Sequence, residues 1–148
     1  MFVGGTFISY SHTDSDFVLR LYKRFVRDDI PVWLDRHDLV AGSIEYQITQ
    51  GIRANDIVVL VLSDASLASD WVWDEIRTAR EEEKSQDRHI ICPIAIDDAW
   101  KSNPPDGRRY MDTIRERFVV PFGPDHDFEN HFQKLLKGMK TNYEIGAR

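Results

Sequence analysis

The stretch IVVLVLS, residues 57–63, decides the fold of this chain. Six consecutive apolar residues, mostly β-branched, form a run that is too short for an ordinary buried helix and typical of a strand. A strand with no alternating polar positions is covered on both faces, which is the usual situation in a parallel sheet. The stretch therefore predicts a central parallel strand that ends at Ser63.

Shorter apolar runs lie on both sides of this strand and alternate with helical patterns, as in consecutive βαβ units. Pro31 is tolerable because it would be the first residue of its strand. The pattern predicts a flavodoxin-like α/β fold, a five-stranded parallel sheet with helices on both faces, over residues 1–140. Residues 141–148 (TNYEIGAR) have no pattern and are interpreted as a tail or the start of a linker to a further domain. The four additional strands are TFISY (6–10), PVWLD (31–35), IICPIAI (90–96) and FVVPF (118–122).

The composition narrows the class of protein. The 148 residues are 42% hydrophobic and 30% charged, as in an ordinary folded domain, and the net charge is −6. An acidic chain with scattered basic residues is a poor partner for nucleic acid or an anionic membrane. Cys92 is the only cysteine, so no intramolecular disulfide can form, which favours a reducing, cytoplasmic location. Cys92 is expected to be a buried core residue.

The densest acidic run in the sequence is expected to face solvent. This run, Glu81–Glu83, is followed at once by Lys84, and we interpret it as a solvated helix face.

Ligands in folds of this type gather at the carboxyl ends of the strands. That rule selects Ser9–Ser11, residues 35–42 and residues 63–75 as the rim of a binding site.

The stretch SDWVWDEI, residues 69–76, supplies the most specific candidate on this rim. Val72, Ile76 and Ala79 fall at helical spacing and form the predicted core-facing stripe of a helix capped by Ser69 or Asp70. Trp71 and Glu75 lie four residues apart, so they share one side of this helix at the border of the stripe.

This pair of residues has a chemical use. A tryptophan face can stack on a flat heteroaromatic ring. A carboxylate one turn further on can bind ribose hydroxyls and offset positive charge that develops at the anomeric carbon. Trp71 and Glu75 therefore predict cleavage of an N-glycosidic bond whose leaving group is already a good one.

Other chemistries are less well supported. The hydroxyls of Ser9, Ser11 and Thr13 could cradle a phosphate or simply cap a helix, and the sequence leaves both open. No glycine-rich nucleotide fingerprint, P-loop or nucleophile elbow occurs. His126 and His131 have no partner residues at metal-ligand spacing, so no metal site is expected.

Three segments together resemble bacterial Toll/interleukin-1 receptor (TIR) domains over residues 5–140. TFISYSHTD is similar to the family's first motif, and VWLDRHDLVAGSIEYQI resembles the second, in which W-x-D precedes an L-x-x-G step. SLASDWVWDEI resembles the segment in which S-x-W precedes a glutamate by one turn. The animal-receptor F-W pair near the last helix is reduced here to His131–Phe132.

The resemblance implies that the chain hydrolyses NAD+ to nicotinamide and ADP-ribose or a cyclic variant, in signalling or anti-phage defence, with NAD+ as substrate and no further cofactor. Glu75 falls on the family's catalytic glutamate, and the implied substrate-binding residues are Ser9, Tyr10, Asp35 and Trp71. The resemblance also implies activation by homotypic assembly with other TIR domains. The loop implied in that assembly contains Arg36, His37, Asp38, Leu39 and Gly42.

Two alternatives belong to other classes of protein. In the first, the chain is a non-catalytic TIR interaction or adaptor module, and Glu75 is an ordinary solvated acid. In the second, it is an enzyme similar to nucleoside deoxyribosyltransferases, which would cleave nucleosides and leave NAD+ intact. Release of nicotinamide from NAD+ distinguishes both alternatives from the NAD+ hydrolase.

Overall fold

A computed structural model of the chain describes residues 5–34, 50–102, 114, 117, 119–123 and 127–146. Its centre is a five-stranded sheet in the order β2-β1-β3-β4-β5, and every neighbouring pair is parallel. This confirms the predicted flavodoxin-like α/β fold. The strands are β1 (Thr6–Ser9), β2 (Val32–Leu34), β3 (Ile57–Leu62), β4 (Ile91–Ala95) and β5 (Val120–Pro121).

The central strand β3 behaves as its sequence predicts. All six of its residues are buried, and they alternate between two hydrophobic clusters on opposite faces of the sheet. Val59 and Val61 belong to the cluster that includes Phe25 and Phe132, whereas Leu60 belongs to the cluster that includes Ile76. Coverage on both faces explains why the run has no polar positions.

Four helices cover the sheet within the described residues: Ser15–Arg27, Asp64–Leu67, Asp70–Gln86 and Phe128–Gly146. The first and last of these contribute to one hydrophobic cluster, and the Asp70–Gln86 helix contributes to the other. Residues 50–53 are also helical, and short 3₁₀ turns span His12–Asp14 and Ala99–Lys101.

The last helix differs from its sequence interpretation. It continues to Gly146, into residues that carry no apolar pattern and that we assigned to a tail. Side-chain hydrogen bonds support this extension: Asn142 Nδ2 donates to Cys92 Sγ at 3.3 Å, and Thr141 Oγ1 donates to the Lys137 carbonyl at 2.9 Å. The described part of β5 is also short, two residues against the five predicted, and residue 118 lies outside the described residues.

The strand order places a crevice between β1 and β3. The chain moves outward from β1 to β2 and then returns to the other side of β1 to form β3, so the helical connections leave in opposite directions. Such a reversal opens a cleft at the carboxyl ends of the two strands, where ligands bind in doubly wound folds. Ser9 ends β1 at this position, opposite Leu60 of β3.

Candidate active site

The crevice contains a buried contact between the two candidate residues Ser9 and Glu75. Ser9 Oγ donates a hydrogen bond to Glu75 Oε1 at 2.8 Å. Ser9 is 1% exposed and Glu75 is 0% exposed. A carboxylate is rarely buried completely without a partner, because leaving water is costly for an ionised group. The structure therefore brings the end of β1 and the Asp70–Gln86 helix together at this hydrogen bond.

The complete burial of Glu75 corrects the sequence interpretation. We expected this residue at the border of the core-facing stripe, on the periphery of the fold. It lies inside, because Trp73 is also buried and the apolar face is wider than the predicted stripe of Val72, Ile76 and Ala79. The view of Glu75 as an ordinary solvated acid is wrong for the same reason.

Local interactions fix the beginning of the helix that carries Glu75. Ser69 is the N-cap, and its side chain accepts a hydrogen bond from Val72 N at 3.3 Å, as predicted. Trp73 Nε1 donates to the carbonyl of Leu67 at 2.8 Å, which ties the helix to the preceding short helix. These two contacts hold the first turn, which contains Trp71, and Glu75 lies one turn further on.

Trp71 lies on the same side of the sheet as Glu75. It is partly buried and packs against the hydrophobic cluster that contains Val72 and Ile76, as do Leu67 and Trp100. Two tryptophans thus lie along the margin of this cluster, near the carboxyl ends of β3 and β4. The arrangement supplies aromatic surface at the margin of this cluster, and the role of Trp71 in substrate binding stays a prediction.

Tyr10 lies on the opposite face of the sheet from Glu75. It follows Ser9 directly, so alternation along the strand directs it into the cluster that includes Ile8 and Phe122, where it is 7% exposed. Its ring lies 5.8 Å from that of His12. The structure thus separates Tyr10 from the Ser9–Glu75 contact, and its role as a substrate-binding residue stays a prediction.

The hydroxyls after β1 and β3 serve as caps. Ser11 accepts from Thr13 N at 3.4 Å, and Ser63 forms a capping box with Ser66. Ser63 Oγ also donates to the Asp14 carboxylate, a contact that joins the two strand ends. Burial raises the pKa of the Asp14 carboxyl, the Ser63 hydroxyl lowers it, and nearby Asp97 raises it further. The capping interpretation is confirmed for Ser11, and a phosphate cradle stays a prediction.

Several predicted site residues lie outside the described residues. They are the implied substrate contact Asp35 and the implied assembly loop with Arg36, His37, Asp38, Leu39 and Gly42. Within the described part of the chain, no group of three or more His, Cys, Asp or Glu side chains could hold a metal ion. No helix among the same residues is long and apolar enough to span a membrane.

Sequence reasoning missed a second buried acid, Glu83, on the same helix as Glu75. We placed Glu83 on a solvated face, but it is 4% exposed. Arg117 donates to both of its carboxylate oxygens at 2.6 Å, and the backbone N–H groups of Ile90 and Ile91 donate at 2.7 and 2.9 Å. Although burial opposes ionisation, these donors and Arg80 lower the pKa of Glu83 to about 2. The local sequence did not indicate this burial, because Arg80, three residues earlier, forms the kind of pair that is also common on exposed helix faces.

The fold and the crevice define an α/β protein with its candidate site at the topological switch point. The sequence matches the TIR domain family over residues 6–136, which is most of the chain. The chain belongs to the TIR domain family. No match was found among curated proteins.

Solved structures of TIR domains share the fold. One is described as the activated Roq1 resistosome directly recognizing the pathogen effector XopQ, and its TIR domains align with a TM-score of 0.59 at 18% identity, over 97% of this chain and 84% of that chain. Another, a metazoan TIR-STING receptor from C. gigas, aligns with a TM-score of 0.52 at 21% identity, over 75% of this chain. This chain spans only 38% of the length of that receptor.

Proposed function

We propose that this TIR domain is an NAD+ glycohydrolase in which Glu75 is the catalytic carboxylate. The observation that carries the proposal is the buried hydrogen bond between Ser9 and Glu75 in the crevice at the carboxyl end of β1. A fully buried acid in a ligand-binding cleft is a common sign of a functional site. Membership in a family that includes NAD+ hydrolases supports the proposal.

The proposed reaction breaks the bond between the nicotinamide nitrogen and ribose C1′. The bonding electrons leave with the positively charged pyridinium ring, which becomes neutral nicotinamide, and positive charge develops at C1′. The Glu75 carboxylate binds the ribose hydroxyls and stabilises this charge. Water then attacks C1′ and loses a proton to give ADP-ribose, whereas attack by the adenine base of the same molecule gives a cyclic product.

Ser9 and Trp71 have separate roles in this proposal. The hydroxyl of Ser9 fixes the orientation of Glu75 through its bond to Oε1, so Ser9 acts as a positioning residue. Trp71 offers its ring face to the nicotinamide. Tyr10 and Asp35 remain proposed contacts for the rest of the nucleotide.

Self-assembly is the proposed means of activation. Glu75 has no exposed surface in this structure, so NAD+ can reach it only after neighbouring groups move. Homotypic assembly of TIR domains, with residues 36–43 at the contact, would supply that rearrangement. Activity should therefore rise more steeply than the first power of protein concentration.

The test compares the wild-type protein with Glu75→Gln and follows nicotinamide by chromatography at dilute and at high protein concentration. Glutamine keeps an oxygen that accepts from Ser9, so the variant should fold, which thermal unfolding checks. We expect a loss of about a hundredfold or more. Glu81→Gln is the matched control, since Glu81 is exposed on the same helix and the charge change is equal. A folded Glu75→Gln protein with near-wild-type turnover would refute the assignment.

The second candidate function is a non-catalytic TIR interaction module. The exposed Trp33 favours it, because this large aromatic residue is 64% exposed on β2, the edge strand of the sheet. In that case Glu75 would serve only to connect the helix to β1. Folded wild-type protein that self-associates yet releases no nicotinamide at any concentration would select this function.

A further inference from the structure

The amino end of the sheet carries a cleft that the proposed NAD+ chemistry does not use. It lies between the start of β4, the final turns of the Asp70–Gln86 helix and the last helix. Two cavities of about 240 and 400 Å³ adjoin there, and both are lined by His89 and Asn142. The larger one is in the size range of a small-molecule site.

Basic side chains outnumber acidic ones in the lining of this cleft. Among the described lining residues, five basic side chains face two acidic ones, an excess of three positive charges on a chain whose net charge is −6. Such a local reversal of sign attracts anions. The basic residues are Arg80, Lys84, Arg88, Arg117 and Lys134, and the acidic residues are Glu83 and Asp87.

Some of these basic side chains bind other groups of the protein, whereas others form no ion pair among the described residues. Arg117 is occupied by Glu83, and Arg88 donates to the Asp56 carbonyl at 2.8 Å. Among the described residues, exposed Lys84 and Lys134 form no ion pair. The Nε of Arg80 has no acceptor among the described residues either, but this atom is buried, so Arg80 contributes charge to the cleft and no exposed Nε donor.

We propose that this cleft binds a small molecule that carries a diphosphate group. Glu83 already receives five hydrogen bonds, from Arg117, Arg80, Ile90 and Ile91, so it repels an anion less than an unpaired acid would. A diphosphate matches the charge excess and offers several acceptor oxygens to Lys84 and Lys134. The larger cavity leaves room for a substituent on the diphosphate.

The cleft is independent of the candidate active site. Glu75 and Glu83 are eight residues apart on one helix, about 12 Å along its axis, and they serve opposite ends of the sheet. Ligand binding can therefore be measured whether or not the protein cleaves NAD+.

The test is calorimetric titration of inorganic pyrophosphate into the full chain, repeated with phosphorus NMR. We expect saturable binding to the wild type and about tenfold weaker binding to the double variant Lys84→Gln/Lys134→Gln. The matched control is Lys23→Gln/Lys101→Gln, which removes the same charge from exposed positions outside the cleft, Lys101 lying beyond the opposite end of β4. It should bind within about twofold of the wild type, since distant surface charges are screened.

A third arm identifies the source of the diphosphate. Tighter binding of ADP than of pyrophosphate, weakened in Lys84→Gln/Lys134→Gln, supports a nucleotide ligand of the cleft, and equal binding supports the diphosphate alone. The proposal is overturned if the wild type binds neither compound at about 10 mM. It is also overturned if the control variant loses as much affinity as the cleft variant, because the attraction would then come from overall charge.

Discussion

Replacement of Arg117 by methionine should destabilise the protein strongly, because it leaves the buried Glu83 carboxylate with too few donors. Arg117 supplies two of the five hydrogen bonds that Glu83 accepts, both at 2.6 Å, and the side chains of the pair are 11% and 3% exposed. Breaking a buried ion pair costs about 3–5 kcal/mol. Arg80 and two backbone N–H groups remain, so we expect the lower end, about 3 kcal/mol.

Urea unfolding followed by circular dichroism measures this change, with an unchanged m-value as the sign that the denatured state is the same. The melting temperature should fall by about 10 °C for a domain of this size. Arg77→Met is the matched control on an exposed pair, since Arg77 and Asp74 are 44% and 64% exposed at 3.4 Å. Its effect should stay below about 1 kcal/mol.

A double-mutant cycle isolates the pair. Glu83→Gln keeps an acceptor oxygen for Ile90 and Ile91 but removes the charge. It should therefore lower the free energy of unfolding less in the presence of Arg117→Met than alone. We expect a coupling of about 2 kcal/mol, within the range for contacting residues. If the two changes in the free energy of unfolding are additive to within about 0.5 kcal/mol, the Arg117–Glu83 pair does not stabilise the fold and the reasoning is refuted.

Three more outcomes are expected. The pKa of Glu83 in the folded protein, about 2, lies below the ordinary value of 4.5. The contribution of Glu83 to the free energy of unfolding should therefore be complete above pH 4.5 and disappear as the pH falls toward 2. Acid unfolding of wild type and Glu83→Gln, compared over this pH range, measures the contribution. Asp29→Gly should stabilise by about 0.5 kcal/mol in thermal unfolding, since Asp29 has a φ of 59°, whereas Asp28→Gly, at a φ of −90°, should destabilise. Ser9→Ala should lower nicotinamide release about tenfold with little change in KM if the hydroxyl orients Glu75, and an unchanged rate would contradict that role.

The strands were predictable because apolar runs report burial directly. The run at 57–63 contains enough information to place β3 between two covered faces, and its β-branched residues match the strand that forms. The switch point then follows from the order of the runs, and with it the position of Ser9 at the crevice. The cap at Ser69 was also predictable, because its hydroxyl needs only the backbone three residues on.

The burial of the two acids was not predictable, because each has a decisive side-chain partner that is distant in the sequence. Ser9 lies 66 residues before Glu75, and Arg117 lies 34 residues after Glu83. Helical periodicity assigns a glutamate to the exposed face, because the pattern contains no information on partners from other parts of the chain. The extension of the last helix to Gly146 was missed for a related reason, since Asn142 is held there by a contact with Cys92, 50 residues away.

The helix Asp70–Gln86 is held at both ends by carboxylates that point into the sheet. A shift of one residue along its axis would turn each side chain by about 100°, and Glu75 and Glu83 would lose their partners together. The cost of that turn includes the breakage of the Glu83 ion pair, about 3–5 kcal/mol, so fewer than about 1% of the molecules would have the shifted helix at equilibrium. Opening of the crevice to a dinucleotide must therefore come from the groups that surround Glu75, while the carboxylate itself keeps its place.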